Sequence, residues 1–203
     1  MQILIVKLGA LGDVINTLPL AVQLKDHLGA RITWVVEPLS YPLVAGHPAV
    51  DRAILFEKKQ WRQSLRPVIN ALRAQEFDLE LDLQRIWKSG LFCLAARSPR
   101  RIGFDRRRCK ELTWLLPFER IRPRDPERHM LMQYLEFAEH LGVTDAAISW
   151  EIPVTGARPF DLPERYLVLN LGSTKPANKW TVAGFAALAD AVRDRCGVTS
   201  VLT

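Results

Sequence analysis

The sequence predicts an α/β protein built on a Rossmann-like, doubly wound parallel sheet. Apolar, β-rich runs alternate with helical patterns along most of the chain, the order of a parallel sheet with helices on both faces. The first run, Ile3-Leu4-Ile5-Val6, is apolar throughout, as a strand covered on both faces must be. It then passes through a turn bracketed by Gly9 and Gly12 to Asp13, where the next helix is predicted to begin.

Taken in order, strands are predicted over residues 2–6, 31–37, 52–56 and 77–83, and helices over 14–28, 62–74, 86–96 and 127–141. Gly9 and Gly12 let the backbone turn sharply, so the carboxyl end of the first strand opens into a crevice, where ligands of open α/β sheets collect. Residues 150–163 carry Pro153, Gly156, Pro159 and Pro163 with little periodicity and read as a linker. A strand over 166–171, a polar turn over 172–179, a helix over 180–196 and the start of a strand over 199–202 follow. Those elements bury too little apolar surface to make a domain. The expected organisation is one domain over 1–155, then a linker and the truncated start of a second over 156–203.

At 203 residues, 48% of them hydrophobic, the chain can bury a full core. No stretch approaches a membrane span, and Lys7 and Asp13 break the apolar start without a small-residue cleavage site, so a cytoplasmic location is expected. Cys93, Cys109 and Cys196 have neither metal-ligand nor redox spacing and fit a reducing compartment. Between Arg97 and Arg128, eleven Lys or Arg face five Asp or Glu, so this stretch carries the whole formal charge of +6. Its clusters Arg100-Arg101 and Arg106-Arg107-Arg108 with Lys110 read either as a solvated basic loop or as a polyanion site. The polyanion would be an anionic membrane surface, a phosphorylated sugar-lipid or nucleic acid; without aromatics interleaved for base stacking, nucleic acid is not expected. A second basic group, Lys58, Lys59 and Arg62 around Trp61, follows the third strand and is expected to face the same crevice as Asp13.

Gly9-Ala10-Leu11-Gly12-Asp13 matches neither the dinucleotide fingerprint nor a P-loop. An acid here would repel a pyrophosphate, so a functional Asp13 is expected to meet a hydroxyl, as a base would. On the residues alone the plain reading of Asp13 is an N-cap, a position that Asp fills well.

With Lys7, Gly12, Asp13, Val14, Thr17, Leu18 and Pro19 in place, the segment resembles the N-terminal motif of glycosyltransferase family 9, the heptosyltransferases of the lipopolysaccharide inner core. Asn16 stands where that family commonly has His. Further blocks follow in the family's order: Trp34-Val35-Val36-Glu37, Asp82-Leu83-Gln84 with Lys88-Ser89, Arg101-Ile102-Gly103-Phe104, and Leu171-Gly172-Ser173-Thr174 leading to Lys179-Trp180.

The resemblance implies a GT-B fold of two Rossmann-like halves, the first binding acceptor and the second the nucleotide sugar. This chain resembles the first half and the opening of the second; the later family turn of the Asp-Thr-Gly-x-x-His type is missing from it. The implied reaction is a single inverting displacement on ADP-heptose, with Asp13 as general base. Gly12, Lys58, Lys59, Arg62 and Lys88 are implied to bind the acidic acceptor, the Kdo-bearing inner core of lipopolysaccharide. Ser173, Thr174, Lys175 and Lys179 are implied to hold the donor; Asn178 occupies the place where relatives often have Lys, and Lys179 is shifted by one. Cations and a helix N-terminus can meet the charge on the leaving ADP, so no metal or other cofactor is expected. A non-catalytic anion-binding Rossmann-like domain, or an inactive truncated relative, is the alternative.

Overall fold

The computed structural model describes residues 1–153, 161–173 and 176–203, in two compact units, Met1–Pro153 and Val154–Thr203. In the first unit β1 (Gln2–Val6), β2 (Arg31–Val36), β3 (Arg52–Leu55), β4 (Leu79–Asp82), β5 (Arg101–Gly103) and β6 (Glu119–Arg120) form one sheet in the order β3-β2-β1-β4-β5-β6. Every neighbouring pair is parallel. Between the strands run α1 (Leu11–Leu28), α2 (Tyr41–Ala45), α3 (Trp61–Arg73) and α4 (Trp87–Ala95), and α5 (Met130–His140) follows the last strand. The strand order reverses between β1 and β4. That switch point opens a crevice at the carboxyl ends of these two strands.

The apolar run of β1 serves two cores. Ile3 and Ile5 pack with Val14 and Leu18 of α1 and with Tyr134 and Phe137 of α5. Leu4 and Val6 point the other way, into Val68 and Leu72 of α3 and Phe92 and Cys93 of α4. Alternate residues of a strand face opposite sides, so a strand between two helical layers gains from apolar residues on both faces, as β1 has from Ile3 to Val6. Each such side chain contributes roughly 1.5–3 kcal/mol by leaving water.

Helix α1 starts at Leu11, three residues before the predicted position. Its N-cap is Ala10 in extended conformation, with no side-chain cap, and Val14 N–H reaches Ala10 O at 3.0 Å. Gly12 is therefore the second residue of a helix and takes no part in a turn, contrary to expectation. The helix closes on Gly29, whose φ of 58° suits glycine and whose N–H bonds Leu24 O.

The basic stretch is also not what its composition suggests. Arg108 is buried: it pairs with Asp105, with Glu136 at 2.6 Å, and donates to Arg122 O at 3.1 Å. Arg101 pairs with buried Glu80 at 3.0 Å, and Arg100 with Glu119 at 2.7 Å. Arg120 donates to the carbonyls of Thr113 and Leu116 at 2.9 and 2.7 Å, and Arg106 stacks 4.1 Å from the Trp114 ring. These side chains join the loops around β5 and β6 to the sheet and to α5, so they are not a free polyanion surface.

In the second unit β7 (Tyr166–Leu169) and β8 (Thr199–Leu202) pair in parallel across α6 (Val182–Cys196). The helix starts two residues later than predicted because Thr181 is its N-cap and accepts from Gly184 N–H. No residue of α6 is buried, and of the two strands only Leu169 is. Cys93 is buried, Cys109 half-buried and Cys196 exposed. Among the described residues no helix is long and apolar enough to cross a membrane.

Candidate active site

Two loops meet at the switch point, and side chains fix them to each other. After β4, the buried Asp82 accepts from the backbone N–H groups of Gln84 and Arg85 at 3.2 and 3.4 Å. Burial pushes the Asp82 pKa up, and the hydrogen bonds from Ser89, Arg85 and Gln84 work against that. Gln84 Oε1 then accepts from the N–H groups of Leu8 and Gly9 at 3.1 and 3.4 Å, on the loop after β1. From the other side, Trp34 Nε1 donates to Lys7 O at 2.9 Å and Glu37 N–H to Leu8 O at 2.9 Å. The β1 loop is thus held from both neighbouring strands.

Asp13 is the third residue of α1, and its side chain does not cap the helix. The N-cap role suggested by the sequence is overturned: Asp13 Oδ2 instead accepts from Lys7 Nζ at 3.0 Å. The lysine side chain is 2% exposed and the aspartate 37%. Among the described residues no donor reaches Asp13 Oδ1. Burial pulls the Lys7 pKa below its ordinary value; Asp13 opposes this, and the charges of Arg85 and Lys110 add to it. The ammonium also stands 5.4 Å from the Tyr134 ring. The Tyr134 hydroxyl is buried without a hydrogen-bond partner, and burial raises its pKa, with Asp13 adding to the effect.

Beside this cluster lies a crevice of about 420 Å³ whose walls include Gly9, Ala10, Glu37, Lys58, Gln84 and Lys88. Of the residues expected on the acceptor, Lys58 and Lys88 line it; Lys88 also stands 5.4 Å from the Phe56 ring. Lys59 instead lines a neighbouring hollow with Glu37, Pro38 and Leu39. Arg62 stacks 5.5 Å from the Trp61 ring and lines neither. Gly12 is exposed on the first turn of α1, with nothing within 4 Å of where a Cβ would stand.

Of the expected donor residues, Thr174 and Lys175 lie outside the described residues. Ser173 belongs to the loop after β7, and Lys179 is exposed, its N–H bonded to Pro176 O at 3.0 Å. Neither is in the first turn of α6, since Thr181 caps it. Among the described residues no group of three or more His, Cys, Asp or Glu is placed to hold a metal ion. Sequence inspection gave no role to Lys7, Gln84, Arg85 or Tyr134. For Lys7 a signal existed: it is a lone cation directly after a fully buried strand and six residues before an acid.

Chemically, the cluster offers a carboxylate with one oxygen held by a buried cation and the other open. The sequence model of glycosyltransferase family 9 (heptosyltransferase) matches residues 65–202. The chain belongs to this family. It is 26% identical over 194 residues to the lipopolysaccharide core heptosyltransferase OpsX of Haemophilus influenzae, covering 92% of this chain and 55% of that protein. It is 28% identical over 212 residues to lipopolysaccharide heptosyltransferase 1 of Pseudomonas aeruginosa, covering 96% of this chain and 59% of that one. The family 9 chain thus spans somewhat more than half the length of these curated relatives. The solved structure of E. coli heptosyltransferase WaaC with ADP superposes with a TM-score of 0.83 at 25% identity, over 100% of this chain and 66% of WaaC. The doubly wound sheet and its helices accordingly form part of a GT-B glycosyltransferase fold.

Proposed function

We propose that this family 9 chain provides the acceptor-binding half, and the opening of the donor half, of an inverting glycosyltransferase. It moves heptose from ADP-heptose to the Kdo-bearing inner core of lipopolysaccharide, with Asp13 as general base. The names of its relatives support the sugar and the acceptor class. The observation that carries the base assignment is the Lys7–Asp13 pair, which fixes one carboxylate oxygen and leaves the other open at the sheet's switch point.

In this reaction the acceptor hydroxyl attacks the anomeric carbon while the bond to ADP breaks. Asp13 Oδ1 takes the hydroxyl proton, and ADP leaves with the electron pair. A carboxylate is far too weak a base to ionise a free sugar hydroxyl beforehand. It suffices late, as the C–O bond forms, and such positioned proton transfer contributes about 10²–10⁴ in rate. Lys58 and Lys88 meet the acidic sugars in the crevice, and Lys59, Arg62 and Gly12 bind further parts of the acceptor outside it. Ser173, Thr174, Lys175 and Lys179 hold the donor's diphosphate, so that charge on the departing ADP is met by cations without a metal or other cofactor. The enzyme works in the cytoplasm, at the anionic inner face of the membrane where its lipid acceptor lies.

The test is Asp13→Asn in the whole enzyme that carries this chain, assayed for heptose transfer to a Kdo-bearing acceptor. Asn is isosteric and can stay in the first helical turn. Turnover should fall by about two orders of magnitude or more with the melting temperature nearly unchanged. A stable variant with turnover within a few-fold of wild type would remove Asp13 from the chemistry.

A further inference from the structure

Arg85 has no part in the chemistry above, yet it is held in an unfavourable conformation near Lys7 and Tyr134, between Gln84 and Ile86 of the crevice wall. It lies three residues beyond the end of β4, across the switch point from Lys7. Its φ is 67°, in the left-handed region that residues with a Cβ seldom adopt. Three of the five described non-glycine residues with positive φ, Arg85, Glu111 and Leu112, belong to two adjoining loops. There Lys110 N–H and Thr113 Oγ1 donate to Arg85 O at 3.1 and 3.4 Å, and Trp87 N–H to Glu111 Oε2 at 3.1 Å. A residue that neighbouring contacts force into a costly backbone state marks a place where its side chain is wanted.

That side chain is underused by the protein itself. The guanidinium stands 4.9 Å from the Phe104 ring, and Nη2 is 3.6 Å from Met130 Sδ, a weak acceptor. Nε is buried with no hydrogen-bond partner, and among the described residues no carboxylate pairs with Arg85. Arg101, Arg108 and Arg120 nearby are all satisfied by carboxylates or carbonyls. The charge of Arg85 acts on Lys7 and on the Tyr134 hydroxyl, the two groups on which Asp13 also acts. Lys7 and Arg85 together therefore exceed Asp13 by one positive charge. An unpaired, partly desolvated guanidinium is costly, and an arriving oxyanion relieves that cost through charge-assisted hydrogen bonds.

We propose that Arg85 binds the carboxylate of the acceptor's sugar acid and so holds the acceptor beside Asp13. The proposal rests on the acceptor assignment above. The planar, forked guanidinium suits two carboxylate oxygens in a way that lysine does not.

Arg85→Gly separates this role from a structural one, because glycine adopts the left-handed backbone freely. The variant should melt at or above the wild-type temperature. Its binding of free Kdo, followed by calorimetry on the 203-residue chain, should weaken roughly ten- to a hundredfold. Arg85→Lys should fall between, and Asp13→Asn, which removes a neighbouring negative charge, should bind Kdo at least as tightly as wild type does. Unchanged Kdo affinity in Arg85→Gly, or no Kdo binding by the wild type, would overturn the proposal. Loss of inorganic phosphate binding in Arg85→Gly, with no Kdo binding by the wild type, would reassign the residue to a phosphate. Kdo binding that depends on Arg85, in a protein whose Asp13→Asn form stays active, would uphold the site while the proposed base fails.

Discussion

Lys7 Nζ stands 3.0 Å from Asp13 Oδ2, and the two partners differ sharply in exposure, 2% for the lysine and 37% for the aspartate. Water can therefore take over for the aspartate if the lysine is lost, and removing a buried ammonium relieves its desolvation. Lys7→Met should change stability by no more than about 1 kcal/mol. Turnover of the whole enzyme should nevertheless drop at least about tenfold, because the carboxylate loses its fixed position. Urea unfolding and steady-state kinetics on the same preparations check both. A heavy loss of stability with turnover retained would make Lys7 a folding element only.

Gly12 sits in the first turn of α1 with open space where a methyl group would project. Gly12→Ala should thus stabilise the protein by about 0.4–1 kcal/mol, since it lowers the entropy of the unfolded chain without a clash. If the acceptor passes over this bare patch, the same methyl should raise the acceptor KM. A thermal melt read beside an acceptor titration tests the two halves separately.

Arg107 and Arg108 are sequence neighbours with opposite expected behaviour. Arg108→Met would leave Asp105 buried without its cation and Glu136 with only the half-exposed Arg128 at 3.1 Å, a change that costs about 3–5 kcal/mol. Arg107 is exposed, so Arg107→Met should stay within about 0.5 kcal/mol. Urea midpoints distinguish the two, and equal small effects would return Arg108 to a solvated loop.

Glu80 lies on β4 with its side chain fully buried, 3.0 Å from Arg101 but with neither oxygen aligned for a hydrogen bond. Burial pushes its pKa from 4.5 to about 8, with Arg101 pulling the other way. Between those values the folded protein keeps a proton that the unfolded chain has released. The contribution of Glu80 to stability is therefore fully present below 4.5, falls as pH rises, and is lost above about 8. Glu80→Gln should flatten this part of the stability curve, as measured by urea unfolding at about pH 5 and about pH 8. A mutant curve parallel to wild type would mean that Glu80 ionises normally.

β1 was legible because it is buried on both faces and carries a continuous apolar run from Ile3 to Val6; β4, equally buried, holds Glu80 and Asp82 and showed only through the alternation of Phe77, Leu79, Leu81 and Leu83. β5 and β6, with three and two residues, are too short to show any period. The start of α1 was misplaced because Gly12 looks like a turn residue, and a cap made by the backbone of Ala10 leaves no mark in sequence. Thr181 before α6 carries the usual N-cap hydroxyl signal, masked by the apolar Trp180 that precedes it. Within the site, Asp13 could be singled out by its place after a glycine-bracketed turn. Its partner Lys7 could not be paired with it without knowing where α1 begins. Arg108 read as surface charge because Glu136 lies 28 residues away on α5, and long-range pairing has no local signature.

To a thiol reagent, the depths of the three cysteines turn the molecule into a clock. Cys196, exposed at the end of α6, should be labelled at the rate of a thiol in water. Cys109 is half-buried with its sulfur donating to Phe104 O at 3.3 Å, so labelling there waits for its loop to open locally. Cys93 is buried on α4, and burial holds its thiol pKa far above the ordinary value. It can react only when α4 leaves the sheet and the thiol meets solvent. Mass spectrometry on a single labelling time course would therefore resolve successive adducts, giving the rate of an open thiol, the opening of one loop and the opening of the main core in turn.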